Sequence, residues 1–218
     1  MFILKKIFFL ILVIFFLNFY LVAQSISLKK EFRNTNKLYK EKKYNDALQS
    51  NNNAINLSIE EFGINHLTTA TLLENKGRLL LEVKKYKEAQ ISFEKVIKLR
   101  KQLIKKNNPD TAEALDYLAM SLRKQNKLDK AIIIHNKALT IMGSVIANNP
   151  GQISELTRRS ALYRARAFQT KGEQLMRDGK IEEAKGNFRI AIKIFERALG
   201  NNKKELDLLV KKMRVIKN

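Results

Sequence analysis

The sequence predicts an all-α fold, a solenoid of stacked antiparallel helix pairs. Three observations carry that expectation. The chain has 218 residues, of which 45% are hydrophobic but only eight are glycine and two proline. A β-sandwich or barrel needs more turn residues than that, whereas many Ala, Leu, Lys and Glu favour long helices. The second observation is an internal repeat. Lys43-Tyr-Asn-Asp-Ala-Leu, Lys85-Tyr-Lys-Glu-Ala-Gln, Lys127-Leu-Asp-Lys-Ala-Ile and Lys180-Ile-Glu-Glu-Ala-Lys align on Ala47, Ala89, Ala131 and Ala184, spaced by 42, 42 and 53 residues. A fixed period of this size marks stacked supersecondary units.

The third observation is what surrounds each alanine. Seven residues later stands Ala54, Val96, Ala138 or Ala191, and four residues later Asn51, Phe93, His135 or Phe188. Spacings of four and three place all of these on one helical face. Twelve residues before each alanine lies Thr35, Gly77, Ala119 or Gly172, and Leu38, Leu80, Leu122 or Leu175 follows three further on. The expectation is that a small residue midway along a first helix meets a small residue near the start of the second. Backbones can then approach to the lower end of the usual ~8–10 Å. One pair cannot bury its own face, so neighbours must stack.

This pattern resembles the tetratricopeptide repeat, in the 42-residue variety of the kinesin light chain, over roughly residues 26–200. The resemblance implies a right-handed α-solenoid. Asn107-Asn108-Pro109-Asp110-Thr111 is similar to that variety's inter-repeat loop, with Gly63-Ile64-Asn65-His66 a weaker version. As chemistry the linker also stands alone: Asn108 can cap a helix whose first residue is Pro109, and Asn149-Pro150 repeats the device. The sequence departs from the pattern at Asn51, where an aromatic is usual, and in having no tryptophan.

Helix pairs are expected at about 26–42 and 44–62, 66–84 and 86–106, 109–126 and 128–147, then 152–178 and 180–199. The corresponding repeats are about 26–65, 66–107, 108–149 and 150–200. Residues 201–218 would hold a capping helix, with Leu206, Leu209, Val210 and Met213 on one face, since an array must cover its last apolar side. The 53-residue step carries eleven extra residues between Met142 and Tyr163, which either extend a helix or form another. Arg158, Arg159, Arg164 and Arg166 crowd this junction, four of the chain's twelve arginines. They are candidates for an anionic surface site through guanidinium forks, set against the plainer reading of a solvated helix face.

Residues 1–23 read as a targeting segment. Lys5 and Lys6 precede an unbroken apolar run, Ile7–Leu17, and a small residue, Ala23, closes the segment. That is the layout of a secretory signal peptide, and the Ala23–Gln24 junction resembles bacterial ones. The alternative is a retained inner-membrane anchor touching the bilayer through residues 7–23, slightly short of the ~20 apolar residues of a spanning helix. In both forms export is expected, to the periplasm, the envelope or the exterior.

The net charge is +21, and +19 without residues 1–23. It favours an acidic partner or an anionic surface, against compositional drift towards lysine as the plainer account. Several chemistries have no support. There is no cysteine and there are only two histidines, His66 and His135, at no paired-ligand spacing, so no metal is expected. Phosphate-loop, dinucleotide and nucleophile-elbow motifs are missing. Neither an enzyme nor a cofactor is expected, and nucleic acid is the weakest partner class because the chain is expected to leave the cytoplasm.

The resemblance implies that the first helix of each repeat lines a concave groove. The candidate partner-binding residues are then Arg33, Asn36, Tyr39, Lys40, Asn75, Arg78, Asp116, Tyr117, Arg123, Arg166 and Arg177. They offer cations for carboxylates, asparagine for peptide backbone and tyrosine for apolar anchors. Chaperone-tail binding within the family uses Lys and Asn at set positions. These fall on Phe32, Asn36, Asn75, Glu113 and Tyr117, or one repeat later on Glu74, Arg78, Tyr117, Arg166 and Thr170, so that activity is disfavoured. The expected function is a non-enzymatic scaffold for a peptide or protein. Alternatives are a binder of anionic lipid, cell-wall polymer or nucleic acid, or an auxiliary segment of a signalling or protease system.

Overall fold

The computed structural model describes residues 25–104, 107–148, 153–199 and 207–211. The targeting segment, Asn149-Pro150 and most of the expected cap lie outside the described residues. Among the described residues every regular element is helical. The first helix, α1, covers 25–40. Then follow α2 Tyr44–Phe62, α3 Leu67–Glu82, α4 Tyr86–Leu103, α5 Pro109–Lys124, α6 Leu128–Ala147, α7 Ile153–Arg177 and α8 Ile181–Leu199. A last helical stretch, α9, covers 207–211. From α2 to α8 each helix packs on the next, and α5 also meets α3 and α7 along one side. No described helix is long and apolar enough to cross a membrane.

The turn inside each repeat is the same in all four. Lys43, Lys85, Lys127 and Lys180 donate their backbone N–H to Leu38, Leu80, Leu122 and Leu175, while Lys42, Lys84, Asn126 and Gly179 donate to Tyr39, Leu81, Arg123 and Met176. This pair of bonds is the Schellman motif, which needs a left-handed residue after the helix. Lys42, Lys84 and Asn126 adopt that conformation at φ 59°, 62° and 61°, and Gly179 at 75°. Three of the four turns therefore hold a side chain where glycine would be unstrained. Between repeats the caps differ. His66 Nδ1 accepts from the Thr68 N–H at 3.2 Å, and Asn108 Oδ1 accepts from the Thr111 N–H at 2.8 Å with Pro109 in the first turn of α5.

The packing inside a repeat adds a close ring to the expected small residue of the first helix. The nearest neighbours of a Cβ placed on Gly77 are ring atoms of Phe93, at 2.6 Å, and a Cβ on Gly172 would meet the Phe188 ring at 2.6 Å. The glycine thus seats the aromatic four residues beyond the repeat alanine. Where that aromatic is replaced by a smaller residue, the facing position is larger: Ala119 with His135, and Thr35 with Asn51. Asn51 is fully buried, and its amide donates to the Leu72 carbonyl at 3.0 Å, so the first repeat exchanges ring packing for a hydrogen bond to the second.

The core runs the length of the stack, from Leu28 to Tyr163 in one cluster and from Ala165 to Leu209 in the next, with Leu162 packed against both. Leu209 of α9 is 1% exposed. The irregular 53-residue step lengthens a helix: α7 has 25 residues where α3 and α5 have 16.

Candidate functional site

The first helices carry a row of alternating ring and cation. The Arg78 guanidinium lies 5.9 Å from the centroid of the Tyr39 ring on α1 and 5.4 Å from that of Tyr117 on α5. Both are within cation–π range. Tyr39, Arg78 and Tyr117 stand 8, 11 and 14 residues before their repeat alanines, so the row moves back about one helical turn per repeat and crosses the stack diagonally. Tyr117 is backed by Phe93, with centroids 5.5 Å apart and planes 11° from parallel. Phe93 is the ring that fills Gly77. The groove residue is thus supported directly by the packing that defines the repeat.

The electrostatics are set by burial. Burial pushes the Tyr117 hydroxyl up to about 12, helped by Glu113 and Asp116 and opposed by Arg78 and Arg166. For Arg78, burial works against the charge, but the two tyrosines, Glu113 and Glu74 outweigh it and the guanidinium is held more firmly protonated. Glu74 is pushed up, first by burial, against the pull of Arg100. Glu74 accepts a hydrogen bond from Arg100, which also donates to the Asp110 carbonyl at 2.7 Å.

Asp116 corrects the sequence expectation. It is 1% exposed and belongs to the interior instead of the groove surface. One of its oxygens accepts from Arg166, and the other lies 2.9 Å from His135 Nδ1. Burial opposes the carboxylate, but Arg166 and His135 prevail and hold its carboxyl below the usual aspartate range. His135 is fully buried, so the histidine in the aromatic position packs in the core and faces a carboxylate.

The arginine cluster is largely matched by acids of the same chain. Arg158 donates twice to Glu155, at 2.9 and 2.8 Å, across one helical turn. Arg159 donates to Glu113 at 2.5 Å and to the Pro109 carbonyl at 3.2 Å, and Arg166 is engaged by Asp116. Two of the four therefore fasten α7 to α5, and Arg164 is exposed on α7. Together with Glu113, Tyr117 and Tyr163, Arg159 and Arg166 border an open cavity of about 300 Å³ between these helices.

The remaining candidates divide by place. Arg123 pairs with Glu173 at 3.1 Å, and Arg177 with Asp129 at 3.3 Å; both border a second open cavity of about 520 Å³ at the ends of α5 and α7. Arg33, Asn36 and Lys40 are exposed on α1, and Asn75 is half-buried on α3. Tyr39, Arg78, Tyr117 and Arg166 are brought together; Arg33, Arg123 and Arg177 do not join them. Glu74, Arg100, Glu113, Glu173 and Tyr163 contribute to these sites without having been among the binding candidates read from the sequence, where Glu74 and Glu113 stood only as mismatches to the chaperone-tail positions. The available signal was helical spacing, since Glu74 and Glu113 stand four residues before Arg78 and Tyr117. Among the described residues no group of three His, Cys, Asp or Glu could hold a metal ion.

Arg78 differs from its neighbours in what it leaves free. Arg100, Arg123, Arg159 and Arg166 each engage a carboxylate. Among the described residues Arg78 meets rings on both sides and hydrogen-bonds to no acceptor. Its donor fork is open to a ligand.

The tetratricopeptide repeat family model matches residues 38–102 and 84–144. Human mitochondrial tetratricopeptide repeat protein 19 is 25% identical over 162 residues, which are 74% of this chain and 40% of that protein. Among solved structures, BtubC (BKLC) from P. vanneervenii superposes with a TM-score of 0.59 at 16% identity, covering 76% of this chain and 62% of that one. A Podosopora anserina kinesin light chain-type protein of nearly identical TPR-like repeats superposes with a TM-score of 0.56 at 13% identity, covering 87% of this chain and 94% of that one. The chain spans less than two thirds of the human protein and of BtubC. These likenesses agree with the fold, a helical-repeat solenoid.

Proposed function

From a chain that carries tetratricopeptide repeats across residues 38–144, we propose a non-enzymatic scaffold that holds a peptide segment of a partner protein along its first helices. Repeats of this kind generally mediate protein–protein interaction. The observation that carries the reading here is Arg78, framed by Tyr39 and Tyr117 and with its N–H donors unspent. Two rings flank a peptide side chain, and a planar guanidinium takes a carboxylate through two parallel hydrogen bonds. The partner segment is therefore acidic, with its carboxylate on Arg78 and apolar groups on the tyrosines.

The test is a peptide array probed with the full chain. Carboxylate-bearing peptides should be enriched, and Arg78→Ala should weaken them at least tenfold. Enrichment that ignores acidic residues, or is the same in the variant, contradicts the reading.

The workplace we propose is the bacterial envelope, reached through residues 1–23. The charge balance works against translocation: residues 24–43 hold seven Lys and Arg, against two in residues 1–6, and this bias acts on the segment before cleavage as much as on a retained one. Repeats recovered in the envelope, starting at Gln24 or still carrying residues 1–23, support the proposal; repeats confined to the cytosol contradict it.

A further inference from the structure

The outward face of α1 carries a stripe of one sign. Ile26, Lys29, Lys30, Arg33, Lys37 and Lys40 share one arc of the helix, Lys29 and Lys30 adjacent and the others at steps of three or four, and all are exposed. Other positions on the helix face its neighbours. Leu28 and Thr35 are buried, Glu31 and Asn34 meet Ser50 of α2, and Tyr39 reaches Arg78 of α3. The stripe therefore lies on the arc that neither α2 nor α3 covers. It extends roughly 20 Å along the helix axis.

Its five cations have no carboxylate within salt-bridge distance among the described residues. Other exposed faces are mixed: α4 intersperses Lys87, Lys95 and Lys98 with Glu88 and Glu94, and α8 sets Arg189 and Lys193 among Glu182, Glu183 and Glu196. An outer face that serves solubility alone is well served by both signs. The stripe also holds an apolar side chain, Ile26, 61% exposed, and Phe32 stands on the same helix at 39%. In the sequence, the apolar run Ile7–Leu17 ends nine residues before Ile26.

We propose that the outward face of α1 is a docking surface for an anionic lipid bilayer, with lysine and arginine on the headgroups and Ile26 in the interface. The cations supply attraction to the anionic surface, and the position next to the apolar run supplies delivery to it. Each cation held near such a surface is worth roughly fivefold in partitioning, within a Debye length of ~10 Å at moderate salt. This rests on residues 7–23 staying in the membrane, the retained form of the targeting segment, and the stripe is separate from the row of Tyr39, Arg78 and Tyr117.

The chain lacks cysteine, so one introduced cysteine takes a label cleanly. The full chain carrying Asn36→Cys with an environment-sensitive fluorophore is reconstituted into vesicles of phosphatidylcholine, alone or with phosphatidylglycerol. Each carries a headgroup quencher. Quenching is expected at Asn36→Cys in the anionic vesicles and not in the neutral ones, and not for a label at Ile133→Cys. The triple variant Lys30→Gln, Arg33→Gln, Lys37→Gln should lower the headgroup-bound fraction about 100-fold at unchanged circular dichroism, since all three residues are exposed. Equal quenching in both vesicle types, equal quenching at the two label sites, or an unaffected triple variant overturns the proposal. So does capture of polyglutamate by the stripe without quenching in anionic vesicles, which assigns it to an acidic chain. Flotation with neutral vesicles reports separately on residues 7–23.

Discussion

Gly77 and Gly172 predict that one substitution changes sign with its place in the fold. An alanine Cβ at either position would stand 2.6 Å from a ring carbon of Phe93 or Phe188, and both rings are fully buried. At Gly77 the ring cannot retreat freely, because Tyr117 stacks against it at 5.5 Å. Replacing a mid-helix glycine by alanine gains about 1 kcal/mol in propensity, while forcing a methyl into a filled core costs about 1–3 kcal/mol. The balance is a loss of about 1 kcal/mol, or ~2–4 °C in Tm for a chain of this size. Gly143 and Gly186 also lie within helices, yet a Cβ there meets nothing within 4 Å. Alanine at these two positions should raise Tm by ~2–4 °C. Thermal melts followed by circular dichroism, with the double variant Gly77→Ala, Phe93→Leu recovering part of the loss, give the check. Four shifts of the same sign, or no recovery in the double variant, would refute the seating of the ring on the glycine.

Three further predictions follow from the same contacts. Lys42→Gly and Lys84→Gly should each stabilise by about 1 kcal/mol in urea denaturation, because φ values of 59° and 62° strain a side chain but not glycine, and Gly179→Ala should cost a similar amount. Arg166→Ala should lose about 3–5 kcal/mol, since it strips the buried Asp116 of its guanidinium. Arg158→Ala should stay within about 0.5 kcal/mol, because its exposed partner Glu155 is solvated. Tyr117 is held protonated up to about 12 in the fold against an ordinary value of 10. A raised folded value means the unfolded chain ionises first, so stability is lost as pH rises from 10 towards 12, by up to roughly 3 kcal/mol. Alkaline denaturation of Tyr117→Phe should be correspondingly flatter over that window.

What the sequence revealed and what it withheld divide along physical lines. The repeat was legible because buried small residues recur at fixed helical spacing, and the α5 cap because Asn108-Pro109 fits one local geometry. The intra-repeat turn was not, since Lys42 and Lys84 occupy a left-handed position that composition assigns to glycine. The closeness of the glycine–ring contact was not legible because it depends on how two helices cross. The fate of the arginines was hidden for a related reason. Arg159 and Arg166 find Glu113 and Asp116 46 and 50 residues away, and only the stacking of α7 on α5 brings them together. In the site, Tyr39, Arg78 and Tyr117 were legible as members of first helices. Their diagonal alignment, and the burial of Asp116 beside exposed neighbours, depended on helix rotation.

The central claim is that the face containing Tyr39, Arg78 and Tyr117 holds the partner. A photoreactive phenylalanine analogue placed in turn at Tyr39, Tyr117 and the exposed Ile133 of α6 tests it in cells. Ile133 is 55% exposed, so it is no less reachable than the tyrosines. The account predicts a shared crosslinked partner from positions 39 and 117, lost when Arg78→Ala is added, and none from position 133. The same partner captured equally from position 133, or capture at 117 that survives Arg78→Ala, would contradict it.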